Sequence, residues 1–225
     1  MQEFKGHITL AFGESDEYRY MSFLIDKNST LYNRRQSKLV THIVSLFTSA
    51  YVFYWNTYMS TPLKEAPSFD GRLVVYPGEQ EVRDYFSWRQ ADTHINNLYN
   101  TVFWALVLEG KKTEREAHNI LKGTVSADKH EILFKEFGIN YDKLPAFFRK
   151  GTTLVWAPVR DPNRTKPRTR LFTLHVDIIG DDFWRTSGES LAPVEARCEG
   201  ESVDHFYEQA ERHYGTGFGS NVLRF

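Results

Sequence analysis

The chain has 225 residues, a formal net charge of −1 and a pI of about 6.7, with 41% hydrophobic and 15% aromatic residues. That supplies a core for one large domain, or one domain with a tail, at roughly 100–200 residues per domain, and it excludes a global basic field, so nucleic-acid contacts must use local patches. Cys198 is the single cysteine, which excludes an internal disulfide framework and a cysteine-based zinc cluster. Residues 1–6 lack the apolar stretch of a secretory leader, and no apolar run approaches the roughly 18 residues that cross a bilayer. The expected setting is intracellular, cytoplasmic in the first instance with nucleus or mitochondrion open, and no membrane partner.

Ile8, Leu10 and Phe12 alternate with polar or small residues, and Tyr18, Tyr20 and Ser22 alternate with Arg19, Met21 and Phe23, so two strands are predicted, joined by the turn at 13–16. From about residue 31 to 59 the spacing changes. Leu39, Ile43, Leu46, Phe47, Ala50, Phe53 and Tyr54 recur at steps of three and four, a long amphipathic helix broken by Pro62 and Pro67. A short strand is predicted over 73–76. A second long helix follows over about 79–109, interrupted or bent near its middle. Thr113 and Glu116 form a capping box for a third helix ending before Gly123. Ser126 caps a fourth that stops at Gly138. Residues 152–159 and 171–176 read as hairpin strands around a basic loop. Residues 187–202 are linker-like and 203–214 form at best a short terminal helix. The class is α+β, with residues 1–184 as one domain and 185–225 as linker and tail.

Several groups of side chains invite a chemical reading. The Ser15-Asp16-Glu17 triplet is either a solvated turn or a carboxylate placed to hold Mg²⁺, and on a strand only one of the two acids can face a given site. Arg34, Arg35 and Lys38 open the first long helix; like charges at i,i+3 and i,i+4 repel, so a triphosphate would suit them, although a solvated face is the plainer alternative. Arg89, Asp92, Asn96 and Asn100 recur at helical spacing beside His94. Three asparagines at 96, 97 and 100 are unusual inside a helix and point to a polar network or a buried polar ligand. Lys129 stands in the first turn of a helix, where the dipole disfavours it. Arg160, Arg164, Lys166, Arg168 and Arg170 form either an RNA-backbone clamp or a solvated loop. The aromatic run 51–55 reads as core or subunit interface.

Taken together, the runs 11–18 (Ala-Phe-Gly-Glu-Ser-Asp-Glu-Tyr), 68–77 (Ser-Phe-Asp-Gly-Arg-Leu-Val-Val-Tyr-Pro), 87–101, 127–134 (Ala-Asp-Lys-His-Glu-Ile-Leu-Phe) and 175–180 (His-Val-Asp-Ile-Ile-Gly) resemble the tRNA(His) guanylyltransferase family, enzymes that add a nucleotide in the 3′→5′ direction. The resemblance covers about residues 8–184. It implies a polymerase-palm-like antiparallel sheet packed with long helices, two Mg²⁺ ions, ATP and GTP as nucleotides, and tRNA(His) as partner. In such enzymes ATP activates the RNA 5′-phosphate, and the 3′-hydroxyl of GTP then attacks with release of AMP. By position, Asp16 would be a metal ligand, with Glu17 supporting it and Ser15 at the nucleotide. Arg35, Lys38 and Arg89 would grip triphosphate, while Asp92, His94, Asn100 and Lys129 match positions used for tRNA or the added nucleotide. Thr93 stands where the family usually has cysteine. A homo-oligomer, tetrameric in the family, is also implied.

One departure bears on activity. The family's first catalytic segment, a strand ending in Asp-Gly-Arg, lies well before the acidic turn, and this chain begins too late to contain it. Asp70-Gly71-Arg72 aligns with a different segment, in a loop. The expectation is therefore a palm lacking its first strand and a chain that turns over weakly on its own. The alternative is a noncatalytic tRNA-binding or assembly subunit.

Overall fold

The computed structural model describes residues 1–14, 21–159, 168–184 and 218–222, with the side chains at 158, 159, 168, 220 and 221 set aside. Four strands form one antiparallel sheet in the order β2-β1-β3-β4: β1 (Ile8–Gly13), β2 (Met21–Ile25), β3 (Thr152–Val159) and β4 (Arg168–Leu174). β1 lies inside the sheet, with Leu10 opposite both Leu24 of β2 and Val155 of β3. Ile8, Leu10, Ala11 and Phe12 are consequently all buried, so the alternation visible in the sequence does not mark a solvent face. β2 is an edge strand, half-buried along its length.

The helices are α1 (Gln36–Tyr58), α2 (Glu79–Leu108), α3 (Glu114–Leu121), α4 (Ser126–Phe137), α5 (Ala146–Lys150) and α6 (Asp181–Trp184). α2 joins two cores. Its first half sets Val82 and Phe86 against Leu10, Phe12, Val155, Leu174, Ile178 and Phe183 on the sheet side. Its second half sets Leu98, Val102 and Leu106 against Ala117, Leu121, Leu133 and Tyr141 from α3, α4 and the turn beyond them. Phe218 returns to the first core, edge-on to Phe172. Among the described residues, no helix is long and apolar enough to cross a membrane.

The expected α+β class is found, and the Thr113–Glu116 capping box forms as read from the sequence. Gly138 closes α4 in the left-handed conformation, at φ 65°. Other elements differ. α2 is one uninterrupted helix of 30 residues, because no proline or inserted side chain breaks its hydrogen-bond ladder. Residues 73–76 form no strand; Val74 and Val75 are 61% and 82% exposed, and β-propensity without a neighbouring edge makes no ladder. Ser126 is the first helical residue of α4 rather than its cap. The cap position is Val125, whose N–H donates to the Asp128 carboxylate at 2.9 Å. β4 starts at Arg168 and ends at Leu174, earlier than expected. The chain from 31 to 59 is not one helix: α1 begins at Gln36, after a turn in which Tyr32, Asn33 and Arg34 have φ of 51°, 53° and 56°. Residues 187–217, with the linker and the terminal helix expected there, lie outside the described residues.

Candidate active site

Strand β1 leads directly into the acidic turn. Ser15, Asp16 and Glu17 lie outside the described residues; Glu14, which precedes them, lies within. Glu14 is 4% exposed, and its carboxylate sits 3.8 Å from the guanidinium of Arg89 on α2. Arg89 is equally buried. It donates to Asp92 at 2.9 Å, and its guanidinium carbon lies 3.9 Å from the centre of the Trp88 ring. A permanent cation is thus held out of water between two carboxylates and an indole face, which together offset its desolvation. Beneath this root, β3 approaches β1 very closely. Gly151 has φ 71°, and a Cβ there would lie 2.7 Å from the Phe12 ring and 2.8 Å from the Gly13 carbonyl. Only glycine serves at that position.

Sequence reasoning passed over Gln90, next to Arg89. It is 3% exposed and makes three hydrogen bonds that clamp α2 to the end of α5 and to the chain after β4. Its amide donates to the carbonyls of Lys150 (2.8 Å) and Val176 (2.9 Å) and accepts from the Ile178 N–H (2.8 Å). A signal was present. Gln90, Thr93 and Asn97 recur at the spacing of a buried helix stripe, where polar residues must be satisfied from elsewhere in the fold.

Further along α2, His94 joins a second cluster. Asn97 donates to the Tyr141 hydroxyl at 3.0 Å, and that hydroxyl lies 3.2 Å from His94 Nδ1. The rings of His94 and His130 both pack edge-on against Tyr141, at 5.3 and 5.1 Å. Burial first, then His130 and Arg149, pull the His94 pKa below its usual 6.5 against the opposing effect of Asp142. At neutral pH the imidazole is therefore uncharged, suited to hydrogen bonding rather than to pairing with phosphate. Of the three asparagines, only Asn97 faces inward. Asn100 opens onto a cleft of about 530 Å³ with Thr101, Trp104 and Phe148. Lys129 folds back to the Thr124 carbonyl at 2.9 Å, which offsets its unfavourable place in the first turn.

Arg35 and Lys38 are exposed at the start of α1. Arg35 lines an open groove of about 780 Å³ with Ser37 and Thr41, and Arg72 stands on its other wall. The Arg34–Lys38 stripe expected on one helix face does not exist. Arg34 precedes the helix, and its guanidinium donates to the carbonyls of Asp26, Lys27 and Ser29. Asp70 and Arg72, both exposed, pair with each other at 2.8 Å. Arg160, Arg164 and Lys166 lie outside the described residues, and Arg170 is exposed on β4.

Among the described residues, no three His, Cys, Asp or Glu side chains gather around one point. Mg²⁺ does not require such a cage, since it is commonly held by one or two carboxylates with nucleotide phosphates completing the shell. Glu14 itself is engaged by Arg89, so carboxylates for such a shell would have to come from Asp16 and Glu17, which lie outside the described residues.

Comparison with known proteins gives a consistent answer. Residues 1–77 match the family described as "tRNAHis guanylyltransferase", and residues 80–180 match "Thg1 C terminal domain". A probable tRNA(His) guanylyltransferase of Drosophila melanogaster is 52% identical over 191 residues, which cover 85% of this chain and 65% of that one. The tRNA(His) guanylyltransferase of Schizosaccharomyces pombe is 51% identical over 193 residues, covering 82% and 72%. The crystal structure of the Saccharomyces cerevisiae tRNA(His) guanylyltransferase superposes with a TM-score of 0.64 at 48% identity, covering 68% of this chain and 67% of that one. The chain thus spans just under two thirds of the length of the Drosophila relative.

Proposed function

The chain belongs to the tRNA(His) guanylyltransferase family, and we propose that it performs the family's reaction, adding guanosine to the 5′ end of tRNA(His) with ATP and GTP as the nucleotides. The observation that carries this reading is the identity of 52% across 85% of the chain. In this reading Asp16 is the Mg²⁺ ligand, with Glu17 supporting it and Ser15 at the nucleotide. Bound with the nucleotide, Mg²⁺ supplies charge neutralisation at the phosphates and favours ionisation of the attacking 3′-hydroxyl. Two ions are proposed, as in the family.

The chain's own residues divide the remaining work. Arg35 and Lys38, exposed and paired with no carboxylate among the described residues, receive the triphosphate, where a guanidinium fork can take two phosphate oxygens at once. Arg89 contributes from behind β1; buried and charged, it fixes the root of the acidic turn and places positive potential there. His94, neutral at pH 7, and Asn100 in its cleft offer hydrogen bonds to RNA, with Asp92 and Lys129 at the margins. α1 leaves Phe53 and Tyr58 78% and 79% exposed beside Val52, Tyr54 and Met59, an apolar face that supports assembly with further copies of the chain. An intracellular setting, cytoplasmic first, follows from these partners.

The test is incubation of 5′-labelled tRNA(His) with the protein, ATP, GTP and Mg²⁺. One added guanosine, lost in Asp16→Ala, is the expected result. RNA binding with no addition, unchanged by Asp16→Ala, would instead make the chain a noncatalytic tRNA-binding subunit.

A further inference from the structure

The turn that precedes α1 is unusual for an L-amino-acid chain. Tyr32, Asn33 and Arg34 are three consecutive non-glycine residues in the left-handed region, which L side chains disfavour at every step and normally visit singly. Such a conformation persists only where the surroundings over-determine it. The surroundings here do so. The Arg34 Nη1 donates to three carbonyls, those of Asp26, Lys27 and Ser29, at 3.2, 3.0 and 3.3 Å. The Tyr32 ring stacks on His42 of α1 at 4.4 Å. The gripped loop is in turn tied to β1: Asp26 N–H donates to the His7 carbonyl at 2.8 Å, and buried Ser29 lies 2.9 Å from His7 Nδ1.

A line of contacts therefore runs from β1 through Ser29 and Arg34 to Arg35, the N-terminal neighbour of α1. We propose that Arg34 is a positioning residue for nucleotide binding: it locks the left-handed turn onto β1 and so sets Arg35, on the groove faced by Arg72, at a fixed place relative to the strand that leads into Asp16. The inference rests on the reading of Arg35 as a triphosphate contact. It gives Arg34 a different task from the one its charge suggests, since its guanidinium is committed to backbone carbonyls rather than presented to phosphate.

Calorimetric titration of the full chain with Mg·GTP tests this, using Arg34→Ala, Arg34→Lys and Arg35→Ala, each checked by thermal melting. A lysine keeps the charge but not the fork that reaches three carbonyls. Both Arg34 variants should weaken Mg·GTP by about tenfold, as misplacement of a binding group does, while melting midpoints stay near that of the parent because the turn lies outside both cores. Adding Asn33→Gly to Arg34→Ala should recover part of the lost affinity, because glycine takes up the left-handed conformation freely. Parent-like affinity in Arg34→Ala overturns the proposal. So does full rescue by lysine, which would make Arg34 a direct phosphate ligand. Unchanged affinity in Arg35→Ala defeats the triphosphate reading itself, and the proposal with it; weakening there alone leaves that reading intact and defeats only the role of Arg34. If Arg34→Ala does not fold, Arg34→Lys and the Asn33→Gly single variant decide, the latter expected to bind as the parent does.

Discussion

Replacing Gln90 by leucine keeps the side chain's bulk and strips three backbone groups of their partner. Two of these, the Val176 carbonyl and the Ile178 N–H, form buried hydrogen bonds, while the Lys150 carbonyl is only partly buried and can recover water. Each buried orphan costs about 1–3 kcal/mol. The added apolar contact of leucine returns about 1 kcal/mol. The net loss is about 3 kcal/mol, a large share of the roughly 5–15 kcal/mol that holds a domain together. In urea, with an m-value of about 2–3 kcal/mol/M, the unfolding midpoint should fall by about 1 M without a change in slope. Gln90→Glu should be worse, because a buried carboxylate would face two carbonyls while retaining only the Ile178 contact. A leucine shift smaller than about 0.3 M would refute the reasoning, since it would mean that the three groups find other partners at little cost.

Arg89→Met should destabilise by about 3 kcal/mol or more in chemical denaturation, because Glu14 loses a buried countercharge. Gly151→Ala must place a Cβ against Phe12 and the Gly13 carbonyl in a conformation that is essentially glycine-only, so a loss of about 2–3 kcal/mol is expected in chemical denaturation. His94 titrates below its usual 6.5 in the folded chain, so folding favours the neutral ring. Its contribution is fully present above that value and is lost as pH falls through it towards the lower folded pKa; His94→Gln should flatten the drop in melting midpoint between pH 7.5 and 5.5, and an identical drop in both proteins would contradict this.

Much of this fold could be read from residue order, because its signals are local. The alternation in β1, the helical spacing of α1 and α2, the capping box at Thr113 and the stop at Gly138 all depend on neighbours a few residues apart. What escaped depends on distant partners. Val74 and Val75 look like strand residues, yet among the described residues no strand pairs with them. Arg34 has the appearance of a helix-face cation, and only the carbonyls of a loop 5 to 8 residues earlier turn it away. Gln90 falls on a stripe whose spacing suggests burial, but the clamp it makes is with residues 60 to 88 positions away. Within the candidate site, residue types were legible but their division into separate clusters was not. Arg89 and Asp92 belong to the root of the acidic turn, whereas His94, Asn97 and Tyr141 form a network of their own.

The unbroken course of α2 has a geometric consequence. Arg89 and Asn100 are eleven residues apart on one stiff rod (100 − 89 = 11), which separates them by roughly 16 Å along the axis and by just over three revolutions, leaving them near the same azimuth. Under the proposed function, the helix would act as a gauge between the place where bonds are exchanged and the place where an RNA is inspected. Inserting or deleting one residue between those positions would swing one end against the other by roughly 100° while leaving both Arg89 and Asn100 in the chain. Such a variant would keep both halves of the apparatus and lose the spacing that lets them act on a single molecule.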